Sequence, residues 1–74
     1  MKNKKVWVVL EHDAVDTYLV GVYASKKQGV KAAENAIYNN WTFVTEMNKT
    51  PAGVELYTPD DNCYYEIISS PVEE

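Results

Sequence analysis

The residues best suited to chemistry lie near the start of the chain, where His12 stands between Glu11 and Asp13 and is followed by Asp16. An imidazole beside carboxylates can act as a general base or hold a metal ion. A metal site needs converging and supported ligands, and a general base needs a nearby nucleophile. The pattern provides neither, and two aspartates in a short polar segment are typical of a hairpin loop. We therefore expect a loop here, with a functional His12 as the alternative.

Cys63, the single cysteine, follows the acidic segment "PDDN". Neighbouring carboxylates raise the pKa of a thiol, whereas a nucleophilic cysteine needs a lowered one. One cysteine cannot form an internal disulfide, and the sequence contains no Cys/His cluster with zinc spacing. We therefore predict no metal, no cofactor and no enzymatic activity.

Charge is distributed unevenly along the chain, which has a net charge of −4. Residues 1–31 carry a net charge of +3, and residues 32–74 carry −7. All seven cationic residues are lysines, so the arginine fork that reads phosphate and guanine is missing. We expect no direct binding of nucleic acid. The acidic half would instead attract a basic protein surface.

Hydrophobic periodicity predicts the elements that position these residues. Residues 5–11 and 18–24 alternate as strands do, and "TFVTEM", "VELYT" and "CYYEIIS" predict three more strands. Between the two groups, Ser25 and Gln28 form a capping-box pattern, and apolar residues recur at helical spacing. We expect a helix over Lys26–Asn39, ended by the asparagine pair.

This order of elements predicts one small domain over residues 1–74. The fold class is α+β, with two layers: an antiparallel sheet with one α-helix on one face, in the order β-β-α-β-β-β. We expect residues 1–4 and 71–74 to be flexible. The sequence has no signal-peptide pattern and no apolar run of membrane-spanning length, and it has a free thiol. These features predict a cytoplasmic protein that makes no membrane contact.

Alternation along the strands assigns each side chain to one face of the sheet. We expect the face under the helix to hold the following apolar residues: Val6, Val8, Leu10, Val20, Val22, Val54, Leu56, Tyr65 and Ile67. The opposite face would then hold a largely aromatic set: Trp7, Val9, Leu19, Tyr23, Tyr57, Tyr64 and Ile68. One helix cannot cover both faces, so the second face should be open.

Aromatic side chains on an open face are typical anchors of protein interfaces. The alternative is that these tyrosines line an ordinary sheet surface, where their strand propensity is high. The candidate partner-binding residues are the aromatics of the open face together with nearby carboxylates: Trp7, Tyr23, Glu55, Tyr57, Asp60, Asp61, Tyr64 and Glu66.

The segment "KVWVVLEH…YLVGVYASKKQGVKAAENAI" resembles a class of small proteins, many of them encoded by phages. These proteins begin with a strand of the form V-x-V-V, a variable acidic loop, a strand ending in G-V-[YF]-[AS]-S and an alanine-rich helix. The resemblance covers residues 5–37, and the second half departs from it with a tyrosine-rich hairpin and an acidic tail. The class has no assigned catalytic residues. The resemblance implies a phage-type accessory protein that binds and inhibits a host protein.

The leading hypothesis is a non-enzymatic, acidic, phage-encoded binding protein that docks on a host protein in the host cytoplasm and inhibits or modulates it. A nucleic-acid-associated protein is one candidate target, and a homodimer is a further interaction that the open face would allow. The alternative is a small enzyme or ligand-binding protein that uses His12 and its neighbouring carboxylates.

Overall fold

A computed structural model describes residues 4–60 and 62–72 of the 74-residue chain. Its elements in chain order are β1 (Lys4–His12), β2 (Thr17–Tyr23), α1 (Lys26–Asn39), β3 (Glu46–Lys49), β4 (Gly53–Tyr57) and β5 (Tyr64–Val72). The strands form one antiparallel sheet in the spatial order β2-β1-β5-β4-β3. Helix α1 packs on one face of that sheet. The predicted α+β class is therefore confirmed. No helix in the described part of the chain is long and apolar enough to span a membrane.

The strand boundaries differ from the predictions, most clearly at β1, β3 and β5. Lys4 begins β1 and pairs with Val72 in β5, so residues 4, 71 and 72 belong to paired strands, and their expected flexibility stays a prediction. Residues 1–3 and 73–74 lie outside the described residues. The third strand begins only at Glu46, because residues 41 and 42 still belong to the turn that ends the helix.

Helix α1 spans the predicted residues and has a defined cap at each end. The Ser25 hydroxyl accepts a hydrogen bond from the backbone N–H of Gln28 at 3.2 Å, which satisfies one unpaired donor of the first turn. At the other end, the N–H of Trp41 donates to the carbonyl of Tyr38, and the N–H of Thr42 donates to that of Ile37. These two bonds form a Schellman turn. Trp41 is its left-handed residue, with φ of 62°.

The core lies between α1 and the sheet and consists of Val9, Ala33, Ile37, Val54, Leu56, Tyr65 and Ile67. Gly29 is also buried, and a Cβ there would come within 3.0 Å of the Cγ2 of Ile67. The absence of a side chain at Gly29 therefore lets the helix approach the sheet closely. This close packing offsets the low helix propensity of glycine.

The face prediction is confirmed for β4 and β5 and is wrong for β1. Val9 is fully buried and Trp7 packs against the core, so Val6, Val8 and Leu10 point to the open face. The error arose because β1 is apolar on both faces and offers no polar residue to mark its exposed side.

Strand β2 contains a bulge that changes its face pattern. Val9 pairs with Gly21 and Leu10 pairs with Leu19, which leaves Val20 as an extra residue. Val20 and Tyr23 consequently both pack against the core, although they are an odd number of residues apart. The predicted places of Val22 and Tyr23 are therefore interchanged, because the bulge reverses the alternation along the strand.

Candidate functional site

The sheet face opposite α1, called the open face below, has an apolar end and a polar end. Register pairing places its apolar end across β1, β2 and β5: Val6, Val8, Leu10, Leu19, Val22 and Ile68. The polar end is formed by five side chains that contact one another, the aromatic–acidic cluster: His12, Glu55, Tyr57, Tyr64 and Glu66. These five residues come from three adjacent strands, β1, β5 and β4.

Three rings of the aromatic–acidic cluster stack side by side across the sheet. His12 pairs in register with Tyr64, and Tyr64 pairs with Tyr57. The His12 and Tyr64 ring centroids are 4.5 Å apart with an interplanar angle of 14°, and those of Tyr57 and Tyr64 are 5.4 Å apart at 21°. Neighbouring strands lie about 4.8 Å apart, so register alone brings the rings to stacking distance. The stack restrains the rotamers of all three side chains.

Glu66 is held by the histidine. Its Oε1 lies 2.8 Å from Nε2 of His12, and Nδ1 of His12 lies 3.1 Å from the hydroxyl oxygen of Thr17. With a proton on Nε2, the imidazole donates to Glu66 and can accept from Thr17. Protonation of both nitrogens turns the contact with Glu66 into an ion pair.

Glu55 lies directly opposite Glu66 in the β4–β5 pairing, an arrangement that places two like charges side by side. Oε1 of Glu55 accepts hydrogen bonds from the Tyr57 hydroxyl at 2.7 Å and the Asn48 side-chain amide at 3.0 Å. These donors, the tyrosine first, lower the pKa of Glu55, and the charge of His12 adds a smaller effect. The same bond to Glu55 raises the pKa of Tyr57 to about 12. Each carboxylate thus has its own donors, which compensate the repulsion between the two.

The segment that follows the histidine is a turn, as predicted. Oδ1 of Asp13 accepts hydrogen bonds from the backbone N–H groups of Val15 and Asp16, and the N–H of Asp13 donates to the carbonyl of Asp16. The two N–H donors lower the pKa of Asp13. His12 itself is the last residue of β1 and belongs to the aromatic–acidic cluster.

Cys63 lies immediately before β5 and packs against the core. Burial raises the pKa of its thiol, and the carboxylates of Glu11, Asp60 and Asp13 raise it further. The predicted effect of acidic neighbours is therefore confirmed. A thiol with a raised pKa is a poor nucleophile.

The contacts of His12 connect a hydroxyl, an imidazole and a carboxylate, which is the connectivity of a nucleophilic triad. Such a triad works with donors that stabilise an oxyanion and with a site that excludes water. Thr17 is exposed, and two open surface grooves of about 580 and 380 Å³ lie elsewhere, lined by Tyr23 and helix residues between Lys26 and Asn35. Among residues 4–60 and 62–72, no group of three or more His, Cys, Asp or Glu is placed to hold a metal ion.

The structure brings together four of the eight predicted partner-binding residues: Glu55, Tyr57, Tyr64 and Glu66. Trp7 and Tyr23 pack on the helix side, so their predicted place on the open face is wrong. Asp60 lies exposed in the β4–β5 turn, where it accepts a bond from the N–H of Asn62, and Asp61 is outside the described residues.

The partner-binding prediction omitted His12, which connects β1 to the aromatic–acidic cluster. The missing signal was the register between β1 and β5, because the His12–Glu66 contact joins residues 54 positions apart. Comparisons with models of protein families, with curated proteins and with solved structures found no match to this chain. The phage-type resemblance therefore stays a prediction, and the geometry of the open face is the basis for proposing a function.

Proposed function

We propose that this protein is a non-enzymatic binding module that docks through its open face on a basic protein surface. The observation that carries the proposal is the aromatic–acidic cluster, in which two glutamates and three stacked rings are held in place on a face that α1 does not cover. The partner would present lysine or arginine to the polar end of the open face.

The cluster suits a cationic side chain for two physical reasons. Carboxylates accept charge-assisted hydrogen bonds from a guanidinium or ammonium group, and these are about twice as strong as neutral ones. The tyrosine rings supply apolar contact area, and Tyr57, at the end of the stack, can offer a ring face to a cation, whereas both faces of Tyr64 are covered by His12 and Tyr57. Because stacking and hydrogen bonds already order Tyr57, Tyr64 and Glu55, binding loses little side-chain entropy.

The apolar end of the open face would provide the remainder of the contact. Val6, Val8 and Ile68 lie next to one another there, and Lys4 lies beyond them at the start of β1. Lys4 pairs with Val72 of β5, and Glu66 lies six residues before Val72, about 20 Å away along the strand. The negative charge of the polar end is therefore well separated from Lys4. Its electrostatic field would set the orientation of the partner, while the apolar end would add contact area. The partner would be the host protein implied by the phage-type resemblance, and docking would modulate it.

A peptide titration followed by ¹⁵N–¹H NMR tests the proposal. The probe is a synthetic peptide of alternating arginine and glycine, with a peptide of alternating glutamate and glycine as the charge control. We expect the arginine peptide, but not the glutamate peptide, to change the amide chemical shifts of His12, Tyr57 and Tyr64. These changes should be smaller at high salt. Shifts confined to α1, or none at millimolar peptide, would remove the proposal.

Matched variants locate the contact. Glu66→Gln removes one charge from the cluster, and Glu34→Gln removes one charge from helix α1. We expect at least a fivefold weaker affinity for the first and no change for the second. Equal effects would mean that overall charge, and not the cluster, attracts the peptide.

The hydrogen bonds that join His12 to Thr17 and to Glu66 favour a second candidate function, which is hydrolysis or small-ligand binding centred on His12. His12→Phe retains a ring beside Tyr64 and removes both hydrogen bonds. A variant that still binds the arginine peptide within a fewfold of the parent affinity supports docking. Turnover of p-nitrophenyl esters by the parent that is lost in His12→Phe and in Thr17→Val would favour the second candidate.

A further inference from the structure

Strand β2 is an edge of the sheet with little protection against pairing. It has one neighbour, β1, so half of its backbone N–H and C=O groups point away from the sheet. Its seven residues, "TYLVGVY", include no charge and no proline. Natural sheets shield an exposed edge with lysine, proline, a very short strand or a β-bulge that twists the edge away, and of these β2 has only the bulge at Val20. The other edge, β3, has only four residues, and Glu46 and Lys49 are both exposed.

Apolar side chains are concentrated at this edge. Tyr18 is 50% exposed, Leu19 is 64% exposed and Val22 is 53% exposed, while Val15 in the preceding turn is 84% exposed. Leu19 and Val22 lie on the open face, as their partners Leu10 and Val8 do, whereas Tyr18 points to the opposite face of the sheet. The bulge at Val20 increases the local twist of β2 but adds no charge to the edge.

The charges at the two ends of β2 have opposite signs. Asp13 and Asp16 precede the strand, and Lys26 and Lys27 follow it at the start of α1. The strand itself spans about 20 Å, so the two groups cannot meet within one chain. When two copies of a strand pair antiparallel, the beginning of each lies beside the end of the other. The aspartates of one copy would then face the lysines of its partner, at two symmetric places.

We infer that the β2 edge binds a second copy of this chain, forming a twofold dimer in which two β2 strands pair antiparallel and the sheet continues across both protomers. An interface of this kind is self-complementary, which a neutral strand with opposite charges at its ends satisfies. The pairing satisfies the outward backbone groups and brings Leu19 and Val22 of the two copies next to one another on the open face. An open surface groove of about 380 Å³ beside this edge, lined by Tyr23, Ala32 and Asn35 among others, offers additional space for contact between the helix sides.

The dimer surface shares Leu19 and Val22 with the apolar end of the open face, but it contains no residue of the aromatic–acidic cluster, whose residues lie on β1, β4 and β5. The two proposals can therefore fail separately. Loss of peptide binding in Glu66→Gln tests the cluster, and the mass of the protein in solution tests the β2 edge.

Sedimentation equilibrium of the full chain over a wide concentration range tests the dimer. We expect the mass to rise from 8.4 kDa towards twice that value as concentration increases. Leu19→Lys and Val22→Lys each replace a side chain that is more than half exposed in the monomer. The variant monomers should therefore remain folded, which circular dichroism would verify. Each change occurs twice in the dimer, and we expect at least a tenfold weaker association. Met47→Lys, on the β3 edge, is the matched control and should leave the association unchanged.

Charge reversal gives a test that unfolding cannot imitate. Asp16→Lys and Lys26→Asp should each weaken self-association, because both symmetric contacts become repulsive. Mixing the two variants should restore a dimer, since each lysine then faces an aspartate at both places. A parent protein that stays monomeric at millimolar concentration would overturn the inference. A dimer that Met47→Lys breaks and Leu19→Lys leaves intact would also overturn it, as would failure of the mixed variants to associate.

Discussion

Replacing Trp41 by glycine should stabilise the protein, although it removes the largest type of apolar side chain. Trp41 has φ of 62° at the position of the Schellman turn that glycine usually occupies. A residue with a Cβ pays about 1–2 kcal/mol for this left-handed conformation. The Trp41 side chain is 97% exposed, so its removal gives up almost no buried area.

The expected gain follows from two opposing effects. Glycine removes the cost of the left-handed conformation and increases the entropy of the unfolded chain, which offsets about 0.4–1 kcal/mol. The net increase in the free energy of unfolding should be about 0.5–1 kcal/mol. For a domain of this size, 1 kcal/mol corresponds to a rise in melting temperature of about 4–8 °C.

Urea unfolding followed by far-ultraviolet circular dichroism is the appropriate assay, because the substitution alters tryptophan fluorescence. The urea midpoint should rise by roughly half a molar to one molar with an unchanged slope. Trp41→Ala is the control, since it removes the indole but keeps a Cβ at the same backbone angle. Equal stability of the glycine and alanine variants would refute the reasoning, as would a loss of stability specific to glycine.

Three further outcomes follow from other contacts in the structure. Gly53→Ala should destabilise the protein by about 3 kcal/mol or more, because its Cβ would overlap the carbonyl oxygen of Ile67; a urea midpoint near that of the parent would contradict this. The pKa of Tyr57 is raised to about 12, so the folded state favours the neutral phenol. Its stabilising contribution is complete below pH 10 and is lost as the pH rises from 10 through 12, so the parent should lose more stability than Tyr57→Phe between pH 9 and pH 11. Cys63 should react with iodoacetamide more slowly in the folded protein than in urea at the same pH, because burial raises the pKa of its thiol. Equal rates would show that folding changes neither the accessibility nor the ionisation of the thiol.

The parts of the fold that were predictable depend on local signals. Ser25 caps the helix through a residue three positions away, and Asp13 organises a turn through residues two and three positions away. Patterns of this range are visible in the sequence itself. The aromatic–acidic cluster depends on which residue of β1 pairs with which residue of β5, and on the extra residue Val20 in β2. Neither the register nor the bulge follows from the alternation of apolar residues, so the carboxylates and tyrosines of the cluster were identified without their histidine.

The composition of β1 supports docking independently of the cluster. An antiparallel strand with one face on a core and the other in water usually alternates between apolar and polar residues. In β1, Trp7 and Val9 face the helix, while Val6, Val8 and Leu10 face away from it. A strand that is apolar on both sides is typical of a sheet covered on both faces. Helix α1 covers one face of this sheet, and a partner on the open face would account for the apolar residues on the other.

Lysine at Val8 provides the corresponding test, because that position lies at the centre of the apolar end and pairs with both Val22 and Ile68. If the open face only meets water, Val8→Lys should change stability little and leave every interaction of the protein intact. If the face is a docking surface, the variant should stay folded and lose its partner, while Glu34→Lys on the helix keeps it. The same residue thus separates a surface that is apolar by composition from one that is apolar because another protein covers it.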